Sequence, residues 1–403
     1  MSAARSLYAA FDRFPTRKGA STHIARFAPT LFDYAGGGLL YVLGDDSLPA
    51  HQIEEAVEII RFCEPIPNFL DRAVAFGLRL EGLLEARGQD LQICHFRDPW
   101  SGVPILARER SWATVYEVNA LPSIELPCAY PGIAPRTLDK IRASEMFCLH
   151  NCDRIVTPSH TTLRMLCELG VDSGKIRVIP NGADLPEPQL RPADAPADYI
   201  LYFGALQSWQ GVDVLLRAFA RLADLDALRL VICGSARSRQ GRQLERLAER
   251  LDIASRITWH WSLPNAELAP WLAHAQLTVA PLRDCARNVV QGCAPLKILE
   301  SMAAGVPVIA SRLPPVCEIL NDGVEGRLVA PDRPDELARA IRVLLAYPQL
   351  RSQMAAHGRA RVAADFHWPQ LLCQLRELYA TLRPAAKLVI DNDSGTAANA
   401  RWA

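Results

Sequence analysis

Gly292-Cys-Ala-Pro-Leu-Lys-Ile-Leu-Glu300-Ser-Met-Ala-Ala-Gly305-Val-Pro-Val-Ile-Ala310-Ser is the stretch from which the fold is read. Pro295 suits the first turn of a helix, where its missing N–H would have had no partner and its φ is already set. Gly305 is placed to end that helix, and the apolar run from Val306 to Ala310 to start a strand. Helix, tight turn and strand in so few residues make one step of a parallel α/β sheet. The free N–H groups and positive dipole end at Pro295 can hold a diphosphate. Glu300, about one and a half turns on, can take two ribose hydroxyls on its carboxylate. The same residues also read as a plain helix–turn–strand unit carrying a solvent-exposed glutamate.

Outward from this stretch the alternation continues. Strands are expected near Tyr199–Phe203, Leu228–Cys233, Arg256–His260, Leu277–Ala280, Val306–Ala310 and Gly326–Val329, each followed by a helical pattern. An earlier series lies near Ser6–Phe11, Leu39–Val42, Leu91–His95, Ala113–Glu117, Arg154–Thr157 and Arg177–Ile179. Short β-branched strands between helices mark parallel sheets covered on both faces. The proline-rich 185–198 reads as a linker between a domain at 1–184 and one at 199–365. Trp368 to Leu382 has amphipathic spacing, so a closing helix is expected over 366–383, followed by a disordered tail over 384–403. The fold class is therefore α/β, with two Rossmann-like, doubly wound parallel sheets facing a cleft. Ligands of such sheets bind beyond the carboxyl ends of the strands.

Composition narrows the partners. A chain of 403 residues exceeds one ordinary core, and 44 basic against 44 acidic side chains give no basic surface for a nucleic acid. The 11 cysteines lack regular spacing, and Cys94, Cys233 and Cys373 sit in apolar runs, which suits a reduced cytoplasmic protein. Cys148, His150 and Cys152 have no second ligand pair at zinc-site spacing, so no metal is expected. No run reaches the about 20 apolar residues of a spanning helix, which leaves room only for peripheral membrane contact.

Two more strand ends carry chemistry. Tyr202-Phe-Gly204-Ala-Leu-Gln-Ser-Trp-Gln210-Gly211 puts a glycine where backbone can approach a phosphate. Phe14-Pro-Thr-Arg17-Lys18-Gly19-Ala20-Ser21 opens a helix after the first strand, with Ser21 as the alternative plain N-cap. His95-Phe-Arg97-Asp98 and Glu117-Val-Asn119 end neighbouring strands of the first domain.

Together these segments resemble family 4 glycosyltransferases, retaining enzymes of GT-B fold, over about Leu7 to Leu382. Glu300 matches the second glutamate of the family's Glu-x7-Glu signature, which binds ribose. The first falls at Gly292, and the Ala-Pro-Leu-Lys version resembles a subgroup lacking that carboxylate. Val178-Ile-Pro180-Asn181-Gly182-Ala-Asp184 and Val231-Ile-Cys-Gly234-Ser235 resemble further family turns, and Trp259-His-Trp-Ser262 the base-carrying loop. The resemblance implies donor contacts from Gly19, Gly204, Gln210, Arg287, Ala294, Pro295, Leu296, Lys297 and Glu300. It implies catalytic roles for His95, beside the reacting sugar, and Lys297, and acceptor contacts at Glu117 and Asn119. Ala205 and Gln210 stand where the family carries basic residues, so positive charge is sought from Arg283, Arg287 and Lys297.

The implied activity is metal-independent, retaining transfer of a hexose from a UDP- or GDP-linked sugar, without other cofactor, to a glycan, lipid or small-molecule acceptor. The alternatives are a degenerate module that binds without turnover and a nucleotide-sugar epimerase of the same fold.

Overall fold

The structure is a computed structural model, and it describes residues 5–16, 19–235 and 237–382. The expected tail lies outside the described residues. The chain forms two compact units, one of residues 1–158, 162–179 and 372–403, the other of 159–161 and 180–371.

The first unit holds an eight-stranded sheet of β1 (Ser6–Arg13), β2 (Gly38–Leu43), β3 (His51–Glu54), β4 (Val57–Phe62), β5 (Ile93–Phe96), β6 (Ala113–Glu117), β7 (Arg154–Thr157) and β8 (Ile176–Val178). Their order is β3-β4-β2-β1-β5-β6-β7-β8, and every pair is parallel except β3–β4. The chain winds one way from β1 and the other way from β5. The switch point therefore lies between the carboxyl ends of these two strands.

The hairpin β3–β4 was not expected. Its strands carry Glu54, Glu58 and Arg61 among the apolar residues, and its two-residue turn is Glu55-Ala56, with Glu55 at φ 52°. Neither residue supplies the Asn-Gly or Asp-Gly signal of a tight hairpin.

The second unit holds six parallel strands, β9 (Tyr199–Gly204), β10 (Arg229–Gly234), β11 (Ile257–Trp261), β12 (Leu277–Ala280), β13 (Val308–Ser311) and β14 (Gly326–Val329), in the order β11-β10-β9-β12-β13-β14. The reversal here is between β9 and β12. Alternate residues of β9 feed opposite cores: Ile200 and Tyr202 pack with Leu215, Phe219 and Ile232, while Tyr199, Leu201 and Phe203 pack with Val231 and Trp271. That two-sided burial is why these strands read as continuous apolar runs.

The opening stretch folds as the Leu296–Ala303 helix, with Pro295 as N-cap, followed by β13. Gly305, at φ 69°, donates to Met302 O, and Val306 donates to Ser301 O, the paired bonds of a Schellman stop. The strand begins at Val308, two residues later than expected, because Pro307 has no N–H for the ladder. Among the described residues no helix is long and apolar enough to cross a membrane.

Candidate functional site

At the switch point of the second unit, the turn after β9 meets the loop after β12. Arg283 N donates to Trp209 O, and the buried Asn288 side chain donates to both Trp209 O (3.0 Å) and Arg283 O (2.8 Å). Asn288 thus stitches the two strand-end loops together. Its place in a four-residue helix, Ala286–Val289, carries no periodic signal, and the sequence reading missed it.

Lys297 lies in the first turn of the Leu296–Ala303 helix, whose N-terminus no side chain caps. Its Nζ donates to Gln210 Oε1 (2.6 Å) and Tyr202 Oη (3.0 Å) and stands 4.3 Å from the centre of the Tyr202 ring. A Cβ on Gly204 would lie 3.5 Å from that nitrogen, so the amine rests against open backbone at the end of β9. Burial, opposed by Glu300 and reinforced by Arg287, brings the ammonium down to about 7. Glu300 lies one turn along from Leu296, half-buried like its neighbours Ala294, Pro295 and Leu296. Burial, opposed by Lys297, pushes its carboxyl up to about 7.

The cations sort differently from one another. Arg283 is held by Asp213 (2.6 Å) and Asp332 (2.8 Å), so its charge is spent on two carboxylates. Arg287 stacks its guanidinium 4.9 Å from the Trp209 ring and donates to Asn288 Oδ1. Lys297, by contrast, donates to two uncharged acceptors at the helix start. Asn181 donates to Ala294 O (2.6 Å), fixing the residue before the N-cap. Gly292 is buried at φ 81°, backbone that a glutamate would adopt only under strain. Trp259, His260 and Trp261 form the end of β11 rather than a loop, and Ser262 follows it at φ 56°. The two indoles stack 6° from parallel, with Trp261 filling the space beside Gly234 and Gly241.

In the first unit, the β1–β5 switch point is filled by a charge network. Glu117, 1% exposed, accepts from Tyr8 Oη (2.6 Å), Arg97 Nε (3.1 Å) and Asn119 Nδ2. His23 Nδ1 and His95 Nε2 approach it at 3.1 and 3.3 Å. Burial alone would raise this carboxyl, but Arg97 and the two imidazoles outweigh it and hold it well below the usual range. Arg97 also reaches Asp12 and the carbonyl of Ala20, tying the strand end to the helix that Gly19 opens.

His95 is fully buried, with Nδ1 2.8 Å from Tyr379 Oη, and burial lowers its pKa despite Glu117, so the ring is neutral at pH 7. His95 and Glu117 lie in the interior of the first unit, where the Glu117 carboxylate balances the buried Arg97 guanidinium. Asn119 and Gly19 keep accessible surface. Ser21 does not cap its helix; its hydroxyl accepts from Thr16 N and closes the preceding loop.

Known proteins match this chain in both halves. A model described as Glycosyltransferase Family 4 matches residues 18–187, and one described as Glycosyl transferases group 1 matches residues 197–347. The chain is 30% identical over 337 residues to the D-inositol 3-phosphate glycosyltransferase of Streptosporangium roseum, covering 78% of this chain and 74% of that one. Sucrose-phosphate synthase from Thermosynechococcus elongatus superposes with a TM-score of 0.76 at 20% identity, over 93% of this chain and 98% of that chain. Anabaena HepE in complex with UDP-glucose superposes at 0.73 and 17% identity, over 94% of this chain and 100% of that chain. With both halves matched and two doubly wound parallel sheets in place, the chain belongs to the family 4 glycosyltransferases, enzymes of GT-B fold.

Proposed function

We propose that this glycosyltransferase binds a UDP- or GDP-linked sugar through its second unit and moves the sugar, with retention and without a metal, to an acceptor hydroxyl. The observation that carries this reading is Lys297: a half-buried amine with neutral hydrogen-bond partners, at an uncapped helix N-terminus and one turn from the ribose-ready Glu300. An anion completes such a site electrostatically. In this reading Gly204, Ala294, Pro295 and Leu296 present backbone to the diphosphate, and Lys297 and Arg287 neutralise it. As the anomeric C–O bond breaks, its electron pair passes to the diphosphate oxygen, where the Lys297 ammonium and the helix end stabilise the growing charge. The acceptor oxygen attacks from the face the nucleotide leaves and gives its proton to that departing oxygen. Gly19 offers backbone and Asn119 a side-chain amide to phosphate or sugar hydroxyls. His95 and Glu117 act through their neighbours, by fixing the ends of β5 and β6.

The test is nucleotide release from a panel of UDP- and GDP-sugars, with and without acceptors. The family relative's name puts D-inositol 3-phosphate first among the acceptors. Acceptor-dependent release that persists in excess chelator, with the donor's anomeric configuration kept in the product by NMR, is expected. Donor binding without release under any acceptor would instead mark a binding module.

A further inference from the structure

Three features define the surroundings of the Lys297 amine. First, both hydrogen-bond acceptors of its amine, the Gln210 amide oxygen and the Tyr202 hydroxyl, are uncharged. Second, the Tyr202 ring lies beneath the same nitrogen, and its hydroxyl is committed as a donor to Ala205 O, so towards Lys297 it can only accept. Third, the carboxylate of the adjoining turn, Asp213, is taken by Arg283 and does not reach Lys297. An ammonium held by lone pairs and a π face keeps its position but not a neutralising partner.

We infer that Gln210 and Tyr202 are positioning residues that form a neutral socket for Lys297, so that its charge is delivered to a bound diphosphate and binding draws a proton onto the amine. This rests on the nucleotide-sugar reading above. The charged and titratable groups facing Lys297 are Glu300 on its own helix, Arg287 from the loop after β12 and Cys293 just ahead of the helix. Glu300 favours the ammonium and Arg287 opposes it; neither replaces the socket, because neither bonds the amine. With the amine near neutrality in the empty site, donor affinity should fall on the alkaline side of about 7, by up to about tenfold per pH unit. Ionisation of Glu300, also near 7, should produce the acid limb.

The experiment is the dissociation constant of UDP-glucose and GDP-glucose against pH, using donors whose diphosphate charge is constant in this range. It compares the full chain with Gln210→Glu, Gln210→Met, Tyr202→Phe and Glu300→Gln. Gln210→Glu keeps the shape of the socket but supplies a carboxylate. It should weaken binding at neutral pH about tenfold and move the alkaline limb up by about one pH unit or more. Gln210→Met and Tyr202→Phe each remove one acceptor and should move the same limb down. Glu300→Gln should flatten only the acid limb. Calorimetry in two buffers of different ionisation enthalpy should show proton uptake by the wild type above pH 7, diminished in Gln210→Glu.

An alkaline limb that stays put in Gln210→Glu and both acceptor-removing variants, while donor still binds, would overturn the socket and leave the nucleotide-sugar reading standing. Failure of the wild type to bind either donor at any pH would overturn both.

Discussion

At Gly211 the missing side chain is a packing requirement. A Cβ there would lie 1.8 Å from the Pro281 carbonyl oxygen, and the residue sits at φ 67°. This contact brings the β9 turn against the end of β12 and so sets where Gln210 stands. Gly305 has a similar φ of 69° but open space where its Cβ would go. Gly211→Ala should therefore lose at least about 2 kcal/mol, and Gly305→Ala about 1 kcal/mol. Denaturant midpoints of the two variants check this, and equal losses would refute the packing argument. Residue-scale reading from sequence went only part of the way. The absence of a carboxylate at Gly292 was legible, whereas its left-handed backbone was not. Arg283, Arg287 and Lys297 all offer positive charge in the sequence, but only the structure shows two aspartates on Arg283 and neutral acceptors on Lys297.

Among elements, the short helix Pro122–Ala129 is anchored by a buried carboxyl group. Glu145, 1% exposed on the Pro135–Asn151 helix, accepts from Ser123 N (2.7 Å) and from its hydroxyl. Burial, only partly offset by these two bonds, pushes its carboxyl from 4.5 up to about 7. Folding then favours the protonated acid. The stability this contributes is full below pH 4.5 and is lost as pH rises to about 7, amounting to about 3 kcal/mol. Glu145→Gln should flatten the fall in thermal midpoint over that interval, and an unchanged slope would assign the titration elsewhere. Strands buried on both faces were legible as apolar runs, which is why those of the second sheet were placed to within two residues. The β3–β4 hairpin was not, because its edge position lets charged residues alternate with apolar ones and its turn carries no glycine.

For the whole molecule, the C-terminal segment is part of the first unit although it is last in sequence. Its Tyr379 hydroxyl meets His95 Nδ1, and its ring packs against both His95 and Tyr34. Tyr379→Phe should cost about 1 kcal/mol by leaving a buried imidazole nitrogen without its partner. Truncation after Leu371 should lower the calorimetric transition of the first unit and spare most of the second. A loss confined to the second unit would contradict the assignment of this segment.

The sequence by itself determined what is local or periodic: alternating strands and helices, the Pro295-to-Gly305 helix, and polar or glycine residues at several strand ends. Those patterns follow from hydrogen bonding and side-chain period along a contiguous chain. Tertiary structure alone decided which of those residues meet and what charge each retains. Gln210 and Lys297 touch only because β9 and β12 flank a switch point, and Glu117 turns inward because it neutralises Arg97 in the interior. Pairing across long separations, and burial with the proton affinities it imposes, are properties of the packed fold.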